Sequence, residues 1–156
     1  DERRRDEILR DDAAPYRWLG VALAAVMPAH VIFPSVDDRP AGFSARWIKG
    51  VLRRRFGFTG AVFSDDLSME GASVAGGIVA RGQAALDAGC DFVISSHDPA
   101  ATDELLAGLR WRRTPSFDSR LARLVPRGTA APMEALLRDP GYLAARDEVL
   151  AFSGTR

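Results

Sequence analysis

The sequence of 156 residues has a single cysteine, no long apolar run and no net charge. Cys90 has no second cysteine with which to form a disulfide, and it lies beside an apolar run, so we expect a buried, unreactive thiol and a reducing compartment. No run approaches the roughly 20 apolar residues of a membrane-spanning helix, and the N-terminus is too polar for a signal peptide. These absences favour a cytoplasmic protein, unless an upstream segment carries a signal.

The charges are balanced, and the common cofactor motifs are absent. With 21 basic and 21 acidic side chains, the overall charge gives no reason to expect nucleic acid or an anionic membrane as a partner. The sequence contains no glycine-rich phosphate loop and no CxxC or HExxH metal motif. We therefore expect no nucleic-acid partner, no membrane partner, no cofactor and no metal.

Apolar runs alternate along the chain with amphipathic stretches, and 47% of the residues are hydrophobic, which suffices for one core. Residues 3–20 are predicted to be helical, as one helix or as two short helices separated near Pro15. The run 21–34 has the pattern of a strand buried on both faces, with His30 at its polar end. An amphipathic helix follows within 40–57, with Ser44 as its N-cap. Its apolar stripe comprises Trp47, Ile48, Val51, Leu52 and Phe56.

The order of strand, loop and helix then occurs twice more. A strand over 60–64 precedes a helix over 78–88, and a strand within 91–96 precedes a helix that begins after Asp98 and carries a stripe of Leu105, Leu106 and Leu109. This order predicts an α/β fold with parallel strands. Ligands bind beyond the carboxyl ends of such strands, where the sequence has His30, Asp65, Asp66, His97 and Asp98.

The pattern changes after about residue 111, where no further strand is predicted. Two short helices are indicated, near 117–125 and near 140–152, joined by a loop rich in glycine and proline. We therefore predict an α/β portion over 1–125 and a helical C-terminal extension over 126–156.

The adjacent carboxylates Asp65 and Asp66 have several potential uses. An acid at the mouth of a parallel sheet can act as a nucleophile, a general base or a metal ligand, and it can also simply cap the following turn. Neighbouring side chains on an extended chain point to opposite sides, which predicts separate tasks for the two acids. The residue pattern alone leaves these alternatives open.

Three longer segments carry a more specific signal. GFTGAVFSDDLSMEGA (57–72), preceded by MPAHVIFPSVDDRPAGFSARWIKGVLRRRFGF and followed by ALDAGCDFVISSHDP, closely resembles glycoside hydrolase family 3 enzymes of the β-N-acetylglucosaminidase type, the bacterial β-hexosaminidases. The resemblance extends from about residue 6 to about residue 125. It implies retaining hydrolysis of terminal non-reducing N-acetyl-β-D-glucosamine residues, as in the recycling of peptidoglycan muropeptides.

The resemblance also implies roles for individual residues. The aspartate directly after the serine of the family's SD motif, Asp65 in this chain, is the expected nucleophile. Ser64 and Asp66 are expected to orient Asp65 and to keep its carboxylate ionised. His30 is a further candidate for contact with the carbohydrate substrate.

One part of the family's machinery does not occur in the sequence. Members of this type use a histidine, supported by an aspartate, as acid/base within a KH-x-PG-HG segment and a following D-x-H, and neither motif is found. A complete (β/α)8 barrel also needs about 250 residues. We therefore expect the C-terminal portion, about three βα units, of a TIM-type (β/α)8 barrel followed by C-terminal helices. It would be a truncated chain, a cleaved fragment or half of a split gene product, inactive without its N-terminal part.

Two other hypotheses fit parts of the pattern. The chain can be an inactive half-barrel whose open strand edges pair with another chain as an interaction or complementation partner. It can also be a small flavodoxin-like domain in which Asp65 and Asp66 bind a metal, although few strands are predicted and the only lysine, Lys49, lies on a helix.

Overall fold

A computed structural model describes residues 1–126 and 128–153 of the chain. The chain divides into two compact units, Asp1–Val125 and Pro126–Arg156. The first unit contains all five strands of the described residues, and the described residues of the second form two helices and no strand.

A three-stranded parallel sheet lies at the centre of the first unit. It comprises β1 (Ala25–Val26), β4 (Ala61–Asp66) and β5 (Phe92–Ile94), in the order β1-β4-β5. Ala25 pairs with Ala61, and Phe63 pairs with Phe92. The predicted α/β class with parallel strands is confirmed. The buried core on this sheet includes Phe43, Ile48, Phe58, Val62, Leu67 and Leu105.

The prediction of one strand over 21–34 is wrong. β1 covers only two residues, and a second short strand, β2 (Ile32–Phe33), pairs antiparallel with β3 (Asp37–Pro40) in a separate sheet. Pro28 lies between β1 and β2 and has no N–H to donate to a sheet ladder, so a continuous strand is interrupted there. His30 consequently lies in the connection between β1 and β2 and not at the end of a long strand.

The helices of the first unit follow the predicted positions with local differences. The segment 3–20 forms two short helices, α1 (Arg5–Arg10) and α2 (Ala14–Leu19), with Pro15 in the first turn of α2. A 3-10 turn at Ala41–Phe43 precedes a helix over Arg46–Arg55.

The helix over Arg46–Arg55 has the hydrogen bonding of a π-helix, which the sequence pattern did not indicate. Near its C-terminal end the Phe56 N–H donates to the Val51 carbonyl, five residues earlier. The N-cap position is Ala45 and not Ser44 as predicted, but the Ser44 hydroxyl still accepts a hydrogen bond from the Trp47 N–H of the first turn at 3.1 Å. Ile48 and Val51 of the predicted stripe are buried.

Two further helices follow β4 and β5. α3 (Ile78–Ala88) ends at Gly89, whose φ of 118° suits glycine. α4 (Pro99–Gly108) is capped by the Asp98 carboxylate, which accepts from the Ala101 N–H at 3.1 Å. Leu105 is buried, but Leu106 is 73% exposed, so its place in the predicted stripe is wrong.

Asp91 joins several elements of the first unit through its buried carboxylate. Its side chain is 4% exposed, forms ion pairs with Arg53 at 3.0 Å and Arg120 at 2.7 Å, and accepts the Val62 N–H at 2.9 Å. Arg120 lies on α5 (Pro115–Leu124). The carboxylate therefore connects the π-helix, β4 and α5.

The second unit contains α6 (Met133–Leu136) and α7 (Pro140–Ser153). α7 corresponds to the helix predicted near 140–152, whereas the single turn of α6 was not predicted. Within 1–126 and 128–153, we find no helix with the length and apolar character needed to cross a membrane.

Candidate active site

The candidate site lies at the C-terminal end of β4, whose last three residues are Ser64, Asp65 and Asp66. The strand extends two residues beyond the predicted end, so both carboxylates belong to it. Because side chains alternate along a strand, Ser64 and Asp66 share one side and Asp65 projects from the other. Ser64 is fully buried, and both aspartates are partly exposed.

Ser64 fastens the end of β4 to β5. Its hydroxyl oxygen accepts a hydrogen bond from the Ile94 N–H at 3.0 Å. At this point the register between the two strands shifts, between Phe63 and Asp66. The Ser64 hydroxyl thus serves as a hydrogen-bond acceptor for the Ile94 N–H at the point where the ladder is irregular.

The Asp66 carboxylate binds the loops that follow β4 and β5. Its Oδ1 accepts from the Ser68 N–H at 2.9 Å and the Ser96 N–H at 3.3 Å, and its Oδ2 accepts from the Ser96 hydroxyl. Burial raises the pKa of Asp66, but the hydrogen bonds from Ser96 and Ser68 outweigh it and lower this pKa to about 2. The group is therefore ionised near neutral pH.

Asp65 is held through one of its two oxygens. Its Oδ1 accepts the backbone N–H of Asp66 at 2.9 Å. Within the described residues no protein group donates a hydrogen bond to Oδ2, and the side chain is partly exposed. One oxygen is thus oriented by the backbone, and the other has no protein donor within the described residues.

His30 turns both ring nitrogens toward the protein. Nε2 lies 3.2 Å from the Asp66 carbonyl oxygen, and because a carbonyl only accepts, a hydrogen bond at this position requires the hydrogen on Nε2. Nδ1 is buried and has no hydrogen-bond partner within the described part of the chain. The ring also packs against Phe43, with centroids 4.8 Å apart. The expected contact of His30 with a substrate stays a prediction.

Solved structures of other proteins share this fold. NagZ from Neisseria gonorrhoeae in complex with N-trifluoroacetyl-D-glucosamine superposes with a TM-score of 0.79 at 39% identity, over 96% of this chain and 42% of that one. A glycoside hydrolase family 3 β-N-acetylglucosaminidase from Paenibacillus gives 0.67 at 32% identity, over 85% of this chain and 28% of that one.

The family model of the glycosyl hydrolase family 3 N terminal domain matches residues 1–125. This chain belongs to glycosyl hydrolase family 3. The resemblance in the sequence is thereby confirmed, and the metal-binding flavodoxin-like alternative loses its basis. A β-hexosaminidase from Bordetella parapertussis is 53% identical over 147 residues, which make up 94% of this chain and 42% of that protein. The chain thus spans less than half the length of the relative it matches.

Two other candidate residues of this family 3 chain lie in the loop between β5 and α4. The Asp98 carboxylate caps α4, and His97 is exposed with a φ of 66° in the loop after β5. Within the described residues, no group of three or more His, Cys, Asp or Glu side chains is placed to hold a metal ion. Cys90 is buried as predicted, and burial raises the pKa of its thiol to about 12.

Sequence reasoning missed Ser68 and Ser96, the partners of Asp66. Ser96 ends the apolar strand segment DFVISS. Its predicted position at the same sheet edge as Asp66 was the one feature of the sequence that could have indicated a contact between them. Ser64 and Asp66 were expected to orient Asp65, but their side chains bind Ile94, Ser68 and Ser96. The contact with the Asp65 carboxylate comes from the backbone N–H of Asp66.

Acid should remove a stabilising contribution of Asp66. Its pKa is about 2 in the folded chain and about 3.9 for an unfolded aspartate, so the contribution is complete above pH 4 and is lost as the pH falls toward 2. After allowance for solvent screening we expect about 1 kcal/mol. Urea unfolding at pH 6 and pH 3 should show a smaller acid-induced loss for Asp66→Asn than for the unchanged chain.

The matched control for that measurement is Asp103→Asn, because Asp103 is an exposed aspartate on α4. This variant should keep the full acid-induced loss. Equal losses for Asp66→Asn and the unchanged chain would show that the hydrogen bonds to Asp66 do not lower its pKa.

Proposed function

We propose that this chain supplies the nucleophile-bearing part of a retaining β-N-acetylhexosaminidase, which removes terminal non-reducing N-acetyl-β-D-glucosamine residues. Muropeptides released during peptidoglycan recycling are the proposed natural substrates. The proposal is supported by the β-hexosaminidase from Bordetella parapertussis and by the Neisseria gonorrhoeae protein, whose structure holds an N-acylated glucosamine.

The observation that carries the proposal is the position of Asp65 at the strand end and the hydrogen bonding of its carboxylate. A retaining glycosidase needs a carboxylate beneath the anomeric carbon, where it stabilises oxocarbenium character and then forms a covalent glycosyl-enzyme. Asp65 ends a parallel strand, has one oxygen oriented by a backbone N–H and has the other without a protein donor within the described residues. In this proposal the open oxygen attacks the anomeric carbon.

The second catalytic group is assigned to a different part of the enzyme. Retaining hydrolysis also requires an acid that protonates the leaving oxygen and a base that later activates water. Neither the KH-x-PG-HG segment nor the D-x-H motif occurs in this sequence. We infer that an N-terminal part supplies them, together with the remaining βα units of a (β/α)8 barrel in which this chain contributes about three.

The proposed function can be tested in a joined enzyme, in which this chain replaces the aligned 147 residues of the Bordetella parapertussis β-hexosaminidase. The joined enzyme should hydrolyse aryl β-N-acetylglucosaminides and release the sugar first as its β anomer, as followed by proton NMR. Initial release of the α anomer would contradict the retaining mechanism.

The competing hypothesis is an inactive half-barrel that acts only as an interaction or complementation partner. It predicts that the joined enzyme folds, as judged by a single cooperative unfolding transition, but does not hydrolyse the substrate. The unmodified Bordetella enzyme assayed beside it shows whether the substrate and conditions are adequate. A folded but inactive joined enzyme would therefore favour the half-barrel.

A further inference from the structure

Three separate segments of the chain form hydrogen bonds with the carboxylate and the carbonyl group of Asp66. Its carboxylate accepts hydrogen bonds from Ser68 and Ser96, and its carbonyl oxygen accepts from the Met69 N–H and from His30, each at 3.2 Å. The remaining group, its backbone N–H, donates to Asp65 Oδ1 at 2.9 Å. The direction of that N–H, and with it the direction of the Asp65 carboxylate, depends on how firmly the rest of Asp66 is fixed.

The His30 ring is itself confined by its surroundings. A Cβ atom at Gly71 would lie 3.0 Å from both the Cβ and the carbonyl oxygen of His30, and one at Gly42 would lie 3.5 Å from Nδ1. Phe43 packs against the ring at 4.8 Å. The chain therefore lies close to the base of the side chain at Gly71 and beside the ring at Gly42 and Phe43, which limits the positions that Nε2 can take.

The unpaired Nδ1 indicates that the ring is there for its Nε2–H. A buried polar atom without a hydrogen-bond partner costs free energy, and phenylalanine would fill similar space without that cost. What phenylalanine lacks is the donor toward the Asp66 carbonyl oxygen at 3.2 Å. A residue chosen for packing alone would not need either nitrogen.

We propose that His30 is a positioning residue: its Nε2–H fixes the Asp66 carbonyl together with the Met69 N–H, and through Asp66 it orients the carboxylate of Asp65. This inference rests on the proposed function only in taking Asp65 as the nucleophile. It replaces the expected substrate contact of His30 with an action on the protein backbone. Substitution of His30 should therefore reduce kcat and leave KM nearly unchanged.

The hydrogen bond can be tested on the 156-residue chain without any activity. The chain has only two histidines, so nitrogen-15 NMR of the imidazole rings gives two sets of signals, and a His97→Gln variant assigns them. His30 should show the pure Nε2–H tautomer at neutral pH, whereas the exposed His97 should show a mixture. An Nδ1–H tautomer or a tautomer mixture at His30 would overturn the proposal.

Two variants of the joined enzyme separate positioning from packing. His30→Phe keeps an aromatic ring against Phe43 and removes the unpaired Nδ1, so its melting temperature should not fall, yet kcat should drop about 10- to 100-fold. His30→Gln places an amide N–H near the position of Nε2 and should restore much of kcat. The control away from the site, Asp103→Asn on α4, should leave both kcat and KM unchanged.

The outcomes distinguish this inference from the proposed function. An inactive joined enzyme with unmodified His30 would contradict the proposed function, while the NMR result would still decide whether the Asp66 hydrogen bond exists. A higher KM with unchanged kcat in His30→Phe would instead identify a substrate contact and would refute the positioning role.

Discussion

Replacing Asp65 with asparagine should reduce kcat of the joined enzyme on the order of 10⁴-fold or more, as removal of other covalent nucleophiles does. Asparagine keeps the size of the side chain and an oxygen that can accept the Asp66 N–H, now 2.9 Å from Oδ1. It cannot form the glycosyl ester or stabilise positive charge at the anomeric carbon. The measurement is steady-state hydrolysis of an aryl β-N-acetylglucosaminide.

The control for Asp65→Asn is a change of the same chemical kind away from the site. Asp103→Asn alters an exposed aspartate on α4 and should leave turnover unchanged. Unfolding curves of the two variants should coincide with that of the unmodified joined enzyme, since Asp65 is partly exposed. Turnover retained in Asp65→Asn would refute the assignment of the nucleophile.

Covalent labelling identifies the nucleophile independently of the kinetic loss. A 5-fluoro N-acetylglucosaminyl fluoride forms the glycosyl-enzyme but slows its hydrolysis, because the fluorine destabilises positive charge at the anomeric centre. Mass spectrometry of the digested joined enzyme should find the sugar on the peptide that contains Asp65. A label on Asp66 or Glu70 would move the nucleophile to that residue.

The position of the carboxylates at the sheet edge was predictable from local pattern. The short apolar run before Ser64, bounded by glycine, is typical of a buried strand, and the following amphipathic segments predict crossover helices. Parallel strands in this order bring their carboxyl ends to one edge whatever the details of packing. The general location of Asp65 therefore follows from the residues around it.

The bonds that organise the site were not predictable in this way. They join residues far apart in the chain: His30 and Asp66 are separated by 36 positions, and Ser96 and Asp66 by 30. The strand predicted over 21–34 also placed His30 wrongly. The apolar run was taken as continuous, whereas the hydrogen-bond ladder of β1 ends before Pro28. Only the folded chain shows that His30 faces Asp66.

The contacts of Asp91 also join distant parts of the chain and were not predictable from local pattern. Among the substitutions considered, its replacement has the largest expected effect on stability. Asp91→Ala should lower the free energy of unfolding by about 3–5 kcal/mol, the usual result of removing one partner from a buried ion pair. It would leave the partly buried guanidinium groups of Arg53 and Arg120 without their counter-charge and the Val62 N–H without its acceptor. Urea unfolding of the 156-residue chain is the measurement.

Asp118→Ala is the matched control, because Asp118 also pairs with an arginine, Arg113, but its side chain is 46% exposed. That variant should cost only about 0.2–1 kcal/mol. If Asp91→Ala does not fold, Asp91→Asn keeps an acceptor for the Val62 N–H and should unfold at a lower urea concentration than Asp118→Ala. Equal losses for Asp91→Asn and Asp118→Ala would show that the buried charge contributes no more than a surface one. A larger loss at Asp91 would mean that β4, and with it the strand end bearing Asp65, depends on this ion pair for its place in the fold.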